Sequence, residues 1–91
     1  MFSYEFESIL EKKLNLLSKK DKILAGIFFK KIKEITSNNE ITIDRYKNLK
    51  SPLNEFKRIH LTDNFILLFK VNKKENHILF ADIKHWDDAY K

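Results

Sequence analysis

The sequence predicts an α+β domain with the element order β-α-α-β-β-β, a two-helix hairpin packed on one face of an antiparallel sheet. Two patterns predict it: apolar residues recur at helical spacing up to about residue 37, and three short apolar segments follow residue 54. With one glycine and one proline, turn signals are few and periodicity defines the elements. Ninety-one residues suffice for one core, so we expect a single domain over residues 1–91.

The first half of the chain predicts one strand and two helices. Three alternating aromatic residues predict a short strand: Phe2, Tyr4 and Phe6. Ser8 and Glu11 have the spacing of a capping box, which predicts a helix over residues 8–19. Asp21 is the predicted cap of a second helix, which ends near Ser37. The connection is very short, so we expect the helices to form a hairpin.

The second half predicts a loop and three strands. The loop covers residues 38–54 and includes a short strand in the ITI segment, 41–43. Strands are predicted at 55–61, 65–71 and 77–84, with polar turns between them. The middle segment is apolar at nearly every position, which is typical of a central strand that is covered on both faces. The three strands therefore form an antiparallel meander beside the helices.

Composition narrows the class of protein. The formal net charge of +5 and the pI of about 9.4 favour a polyanionic partner, above all nucleic acid. The absence of cysteine excludes disulfides and thiolate metal sites. No apolar run approaches the roughly 18 residues that a membrane-spanning helix needs. The acidic first residues are unlike a signal peptide, so we expect a cytoplasmic protein without a membrane partner.

Side-chain alternation divides the strand at 55–61 between two faces of the sheet. Ile59 points toward the helices, whereas Phe56, Arg58 and His60 share the opposite face, which we expect to be open. The end of the last strand brings further side chains to that face or its rim: His85, Trp86 and Tyr90. We expect these groups to converge closely enough to share one phosphate.

This cluster suits the cleavage of RNA through its own 2′-hydroxyl. Histidine can donate or accept a proton near neutral pH, and arginine offers a fixed charge that matches phosphate oxygens. Aromatic rings can stack on unpaired bases, and no metal or other cofactor is required. Plainer interpretations remain: Arg58 in an ion pair with Glu55, Trp86 in contact with a partner protein, or Asp87 and Asp88 on a solvated surface.

Three segments resemble the RelE/ParE superfamily of toxins from toxin–antitoxin systems, and most of all the RelE-type mRNA interferases: LKSPLNEFKRIHL, NFILLFKV and ILFADIKHWDDAY. The resemblance implies four catalytic residues, which are Arg58, His60, His85 and Tyr90. It also implies RNA contacts at Lys47 and Lys50 in the basic loop, and we add Lys57, Lys84 and Trp86 to this predicted RNA-binding set.

The resemblance implies a type II toxin that cleaves mRNA at the ribosome, without metal, and that a cognate antitoxin protein inhibits. The partners expected are therefore the antitoxin, mRNA and ribosomal RNA. Two expected arginines are replaced, by Ile66 in the middle strand and by Trp86 after the closing histidine. Two alternatives stay open: a ParE-like toxin that binds DNA gyrase without catalysis, and a degenerate toxin that only binds its antitoxin.

Overall fold

A four-stranded sheet with two helices on one face forms the centre of the fold. The structure is a computed structural model that describes the backbone of residues 1–89 and the side chains of residues 1–87. The elements in chain order are β1 (Ser3–Phe6), α1 (Ser8–Lys20), α2 (Lys22–Thr36), β2 (Lys57–His60), β3 (Phe65–Asn72), β4 (His77–His85) and the short α3 (Trp86–Ala89). The predicted α+β class and element order are confirmed.

The single residue Asp21 joins α1 to α2 and caps the second helix. Its carboxylate accepts a hydrogen bond from the backbone N–H of Leu24 at 3.0 Å, as predicted, which typically contributes about 1 kcal/mol. The predicted capping box is wrong. Glu7 is the residue that precedes α1, because its N–H is bonded to Phe80 O in β4 (2.9 Å) and Ser8 is already helical.

The helices of the described part of the chain are short. None of them is both long enough and apolar enough to cross a membrane.

The strands lie in the order β1-β4-β3-β2. Strands β2, β3 and β4 form the predicted antiparallel meander, whereas β1 pairs with β4 in parallel, from Ser3 opposite His77 to Phe6 opposite Phe80. The sheet is therefore mixed, and the expectation of a wholly antiparallel sheet is wrong at this edge. The two helices return the chain to the starting end of the sheet, which allows β1 and β4 to run in the same direction.

Phe80 lies at the centre of the main core, between the sheet and the helices. Its fully buried ring is 5.8 Å from the rings of Phe6 and Phe69 and 5.9 Å from that of Tyr4, measured between centroids. The largest fully buried side chains of this core come from both layers: Leu10, Phe28, Ile35, Ile43, Leu67, Phe69, Ile78 and Phe80.

The opposite face of the sheet is partly covered, although we predicted it to be open. Ile66 and Leu68 of β3 are buried there against Leu49, with Phe56 and Ala81 beside them. The cover is the loop that precedes β2. Strand β3 is thus covered on both faces, as its continuous apolar run predicts.

The predicted short strand at 41–43 is wrong. Residues Thr42–Arg45 form a 3-10 turn, because the Asn39 side chain accepts hydrogen bonds from the N–H groups of Ile41 and Thr42, both at 2.9 Å, and turns the chain. The following residues lie along the edge of β2: Lys47 O accepts from Arg58 N (3.0 Å), and Leu49 N donates to Phe56 O (2.9 Å).

Candidate functional site

The ends of three strands meet at one end of the sheet. His60 ends β2, Phe65 begins β3 and His85 ends β4. The register places His60 opposite Ile66, Ile66 opposite Lys84, and Phe65 opposite His85. Neighbouring strands are about 4.8 Å apart, so the strands that carry the two histidines are separated by about 10 Å.

Trp86 lies against His60. The two ring centroids are 5.0 Å apart and the planes are inclined by 30°. The backbone N–H of Trp86 donates to the carbonyl of Asn64 at 2.8 Å, which fixes the start of α3 to the turn between β2 and β3. The indole remains 39% exposed. The structure therefore brings His60 and Trp86 together, as predicted.

His85 lies at the rim of the same end, on the side of the sheet that faces α1. The sequence predicts His85 on the face of Arg58 and His60 or at its rim; the structure places it at the rim, and its ring is not on that face. The reason is a bulge: Phe69 pairs with Phe80 and Leu68 with Asp82, so that Ala81 is an extra residue and the alternation along β4 is reversed after it. Without the bulge, alternation from the start of β4 would place His85 on the opposite side.

The His85 ring has a defined setting. It lies edge-on to Phe65, with centroids 5.5 Å apart and planes at 80°. Its Nδ1 accepts from the backbone N–H of Asp87 at 3.3 Å, while the Asp87 carboxylate is 3.7 Å from that nitrogen. An Nδ1 that accepts leaves the proton of the neutral ring on Nε2. Phe65, which the sequence analysis did not single out, thus helps to orient the imidazole.

Arg58 lies on the same face as His60, opposite Leu68, and is half-buried. Lys84 belongs to the row that contains His60 and Ile66 on this face. Glu55, considered above as an ion-pair partner of Arg58, has Lys70 3.3 Å from its carboxylate. Tyr90, the fourth predicted catalytic residue, lies outside the described residues.

Of the three predicted RNA-binding lysines near β2, two are exposed and one is not. Lys47 and Lys50 are exposed on the loop. Lys57 is only 7% exposed, and its Nζ donates to Tyr46 O (3.0 Å) and Asn48 Oδ1 (2.9 Å). The prediction that Lys57 contacts RNA is therefore corrected, because its ammonium group is buried and bonded within the fold.

Ile66, which replaces an expected arginine, has a clear structural role. Its fully buried side chain contributes to the cluster of Leu49 and Leu68 that holds the loop on the sheet. An arginine at this position would place a charge inside an apolar cluster, which is costly unless the charge is paired. With isoleucine in place of arginine, this face of the sheet loses one cation and gains an apolar contact that holds the loop.

A groove of about 560 Å³ lies between α1 and the end of β4, and sequence analysis missed it. Its apolar lining comes from Leu16, Leu17, Leu24, Phe65 and Ile83, and the charged and polar groups along it are Lys13, Lys20, Asp82, Lys84 and His85. Lys13 Nζ bonds Asp82 Oδ1 at 2.6 Å and Ile83 O at 3.1 Å, which ties α1 to β4. The sequence signal for such a surface is Leu16, a leucine outside the apolar stripe of α1, and the structure shows it to be 57% exposed.

A curated relative reveals the family. Over 91 residues, 100% of this chain and 93% of the relative, the sequence is 41% identical to a protein of Methanocaldococcus jannaschii that carries the toxin name RelE4. The chain belongs to the RelE family of toxins. It is also 34% identical over 90 residues to an uncharacterized protein of Methanosarcina mazei, covering 99% of this chain and 100% of the relative. No model in the scan of protein families matches the sequence.

Solved structures of toxins share the fold of this RelE family member. The YafQ crystal structure from Escherichia coli strain BL21(DE3) has a TM-score of 0.75 at 14% identity, covering 100% of both chains. A metal-bound toxin of Helicobacter pylori has a TM-score of 0.76 at 22% identity, covering 99% of this chain and 100% of that one. The YoeB–YefM complex from Staphylococcus aureus has a TM-score of 0.75 at 20% identity, covering 92% of this chain and 95% of that one. These matches establish the RelE-type fold.

Proposed function

We propose that this RelE family toxin is an endoribonuclease that cleaves mRNA at the ribosome, in the cytoplasm, without a metal ion. The observation that carries the proposal is that the His60–Trp86 ring pair and His85 lie at the same end of the sheet, with Arg58 two residues before His60. Two imidazoles and a guanidinium can supply the base, the acid and the fixed cation that 2′-hydroxyl attack on a bound phosphate uses, and an indole can stack on a base beside it.

The chemistry divides among these groups. One histidine takes the proton of the 2′-hydroxyl as O2′ forms its bond to phosphorus. The other gives a proton to O5′ as the P–O5′ bond breaks, which leaves a 2′,3′-cyclic phosphate and a 5′-hydroxyl. Arg58 stabilises the charge on the phosphorane, and Tyr90 supports the substrate by hydrogen bonding or stacking. Because the histidines lie on opposite sides of the rim, the scissile phosphate lies over the sheet end.

Two exposed lysines and the half-buried Lys84 supply adhesion to the RNA backbone. Lys47 and Lys50 lie on the loop beside β2, and Lys84 lies in the row of His60. Trp86, stacked on His60 with part of its indole exposed, is placed to contact a base next to the scissile phosphate. Contacts of this kind to phosphates weaken as salt rises and are largely independent of sequence.

One observation favours a second function. Ile66 stands where an arginine is expected, so the face that carries Arg58 has one cation fewer. A binding protein of the ParE type does not need that cation, because it carries out no catalysis. In that case the same scaffold would bind DNA gyrase, and the histidines would have no chemical role.

Expression of the toxin in cells separates the two functions. Primer extension on cellular mRNA should show cuts at codon-related positions within minutes of induction, with chromosomal DNA intact, because the proposed substrate is translated mRNA. DNA breaks with uncut mRNA would instead indicate a gyrase poison. Intact mRNA, intact DNA and normal growth would contradict both and leave only antitoxin binding.

We further propose that an antitoxin protein binds the groove between α1 and β4. The YoeB–YefM structure contains a toxin with its antitoxin. In this chain, the groove combines an apolar floor with Lys20 and Lys84, and with Lys13, which is paired with Asp82. Three lysines against one aspartate give it an excess of positive charge that fits an acidic, amphipathic segment. Its wall includes His85. A segment bound there would cover this imidazole and thereby inhibit cleavage.

The substitution Leu16→Lys tests the groove. It places a charge on the exposed apolar floor and should weaken binding of the cognate antitoxin by about 30-fold, or ~2 kcal/mol. Isothermal titration of the purified proteins measures this. Ile41→Lys is the matched control, because Ile41 is even more exposed than Leu16 and lies outside the groove. If both variants weaken binding equally, or if neither weakens it, the antitoxin does not bind in this groove.

A further inference from the structure

Lys57 is a buried lysine, and lysine is among the residues least often buried. It lies on the helix-facing side of β2, opposite Phe69. Its ammonium group has three oxygen partners: Tyr46 O at 3.0 Å, Asn48 Oδ1 at 2.9 Å and Asp44 Oδ1 at 3.6 Å. All three belong to one stretch of chain, residues 44–48, which also carries the exposed Lys47 and ends two residues before Lys50.

The outer end of this network is also fixed. Asp44 Oδ2 accepts from Lys73 Nζ at 2.6 Å. The hydrogen bond from Lys73 is the largest influence and lowers the pKa of Asp44. Desolvation opposes it, and the charges of Lys73 and Lys57 lower the pKa further. Because this pKa is lowered in the folded state, the ionised Asp44 carboxylate contributes to the stability of the fold at every pH above the normal carboxyl range. That contribution is lost only as the pH falls through the lowered pKa. Asp44 is therefore ionised at neutral pH.

The same stretch of chain is held from the other face of the sheet. Leu49 is buried against Ile66 and Leu68. An extended segment alternates its side chains, so Tyr46 and Asn48 face the helix side with Lys57, while Lys47 and Leu49 face the side of Arg58. The carbonyl of Lys47 accepts directly from the N–H of Arg58 at 3.0 Å. The position of Lys47 beside Arg58 thus depends on how residues 44–49 are held.

We propose that Lys57 is a positioning residue, whose buried ammonium group holds residues 44–49 against β2 so that Lys47 and Lys50 form one phosphate-binding surface with Arg58. This inference rests on the proposed RNA-cleaving function for its ligand. Long lysine side chains on a loosely held loop would have to be ordered by the RNA itself, at a cost in affinity. Because the bonds of Lys57 already order the loop in the free protein, RNA binding does not have to order it.

The first test needs no RNA. Lys57→Met removes the ammonium group and keeps the aliphatic stem, and trypsin then reports on the loop by cutting after Lys47 and Lys50. Cleavage at these two bonds should become about tenfold faster than in the wild type, because local opening of the segment is easier. Lys31→Met is the control, since Lys31 is a half-buried lysine paired with Glu34 in α2. Asn48→Ala, which removes one partner of Lys57, provides a second variant if Lys57→Met does not fold.

The second test measures RNA binding by fluorescence anisotropy with a single-stranded, 2′-O-methylated RNA, which cannot be cleaved through its 2′-hydroxyl. Each phosphate contact contributes about 0.7 to the slope of log K against log salt for single strands. Lys57→Met should lower this slope by about 1 to 1.5, the value of two contacts.

The double variant Lys47→Ala/Lys50→Ala should weaken RNA binding in the wild-type background. The same double change should have almost no further effect on RNA binding when Lys57→Met is already present.

The outcomes are distinct. Unchanged cleavage by trypsin overturns the role of Lys57 in ordering the segment. Faster cleavage with an unchanged salt slope, or additive effects of the lysine substitutions, overturns its role in RNA binding. A wild-type protein that binds no RNA overturns the phosphate-binding surface, while the trypsin result still shows whether Lys57 orders the segment. The proposed cleavage at the ribosome is decided separately, by primer extension.

Discussion

Replacing His85 with alanine should slow mRNA cleavage by about 10²–10⁴-fold, the usual contribution of a positioned general acid or base. His85 is exposed at the sheet rim, and its ring is oriented by Phe65 and by the N–H of Asp87. Alanine therefore removes a proton carrier without opening the core. Single-turnover cleavage of mRNA on programmed ribosomes, at saturating toxin, measures the chemical step separately from binding.

His77→Ala is the matched control for His85→Ala. His77 lies at the opposite end of β4, where its ring bonds Ser3 Oγ at 2.7 Å and its Nε2 lies 3.2 Å from Glu5 Oε1. This variant should cleave within about twofold of the wild-type rate, because residues outside the reacting unit leave the chemical step unchanged. If His85→Ala retains the wild-type rate, or if both variants lose the same activity, His85 has no part in proton transfer.

Phe80→Ala should destabilise the fold by about 3–5 kcal/mol, as for other fully buried phenylalanines. Its ring lies between those of Tyr4, Phe6 and Phe69, so the truncation leaves a cavity where β1, β3 and β4 meet the helices. Small domains have only about 5–15 kcal/mol of stability in total, so the loss is a large part of it. Urea denaturation, followed by circular dichroism, gives the change in the free energy of unfolding.

Phe29→Ala provides the control for Phe80→Ala. Phe29 is 52% exposed on α2, so the same chemical change should cost well under half as much. Similar losses for the two variants would mean that the buried ring stack of the sheet does not carry the stability assigned to it here.

The fold was largely predictable because its elements have clear periodicity. Asp21 was identified from its position between two apolar stripes, and β3 from its continuous apolar run; the structure confirms both. The edge that β1 joins was not predictable, since parallel pairing with β4 is a long-range choice without a local sequence signal. The failed cap at Ser8 has a related cause, because the sheet holds Glu7 and thereby sets the first helical residue.

The candidate site was only partly predictable, because alternation is reliable within an uninterrupted strand. It placed Arg58 and His60 on one face, opposite Leu68 and Ile66, as the structure shows. Alternation could not place His85, because the bulge at Ala81 reverses the pattern along β4 and includes no turn residue that would indicate it. Burial of Lys57 was equally hidden, since its partners come from the preceding loop, whose path the sequence does not specify.

The central claim is that groups at the sheet end transfer protons during attack by the 2′-hydroxyl. The chemistry of the cut ends tests it most directly. Purified toxin, ribosomes and a defined mRNA are incubated in chelator-washed buffer, with the Mg²⁺ that ribosomes need as the sole divalent ion, and the fragments are analysed by mass spectrometry. The account predicts a 2′,3′-cyclic phosphate on the upstream fragment and a 5′-hydroxyl on the downstream fragment, and no cleavage of mRNA with a 2′-deoxy nucleotide at the cut position. A 5′-phosphate end, or undiminished cleavage at the 2′-deoxy position, would contradict it.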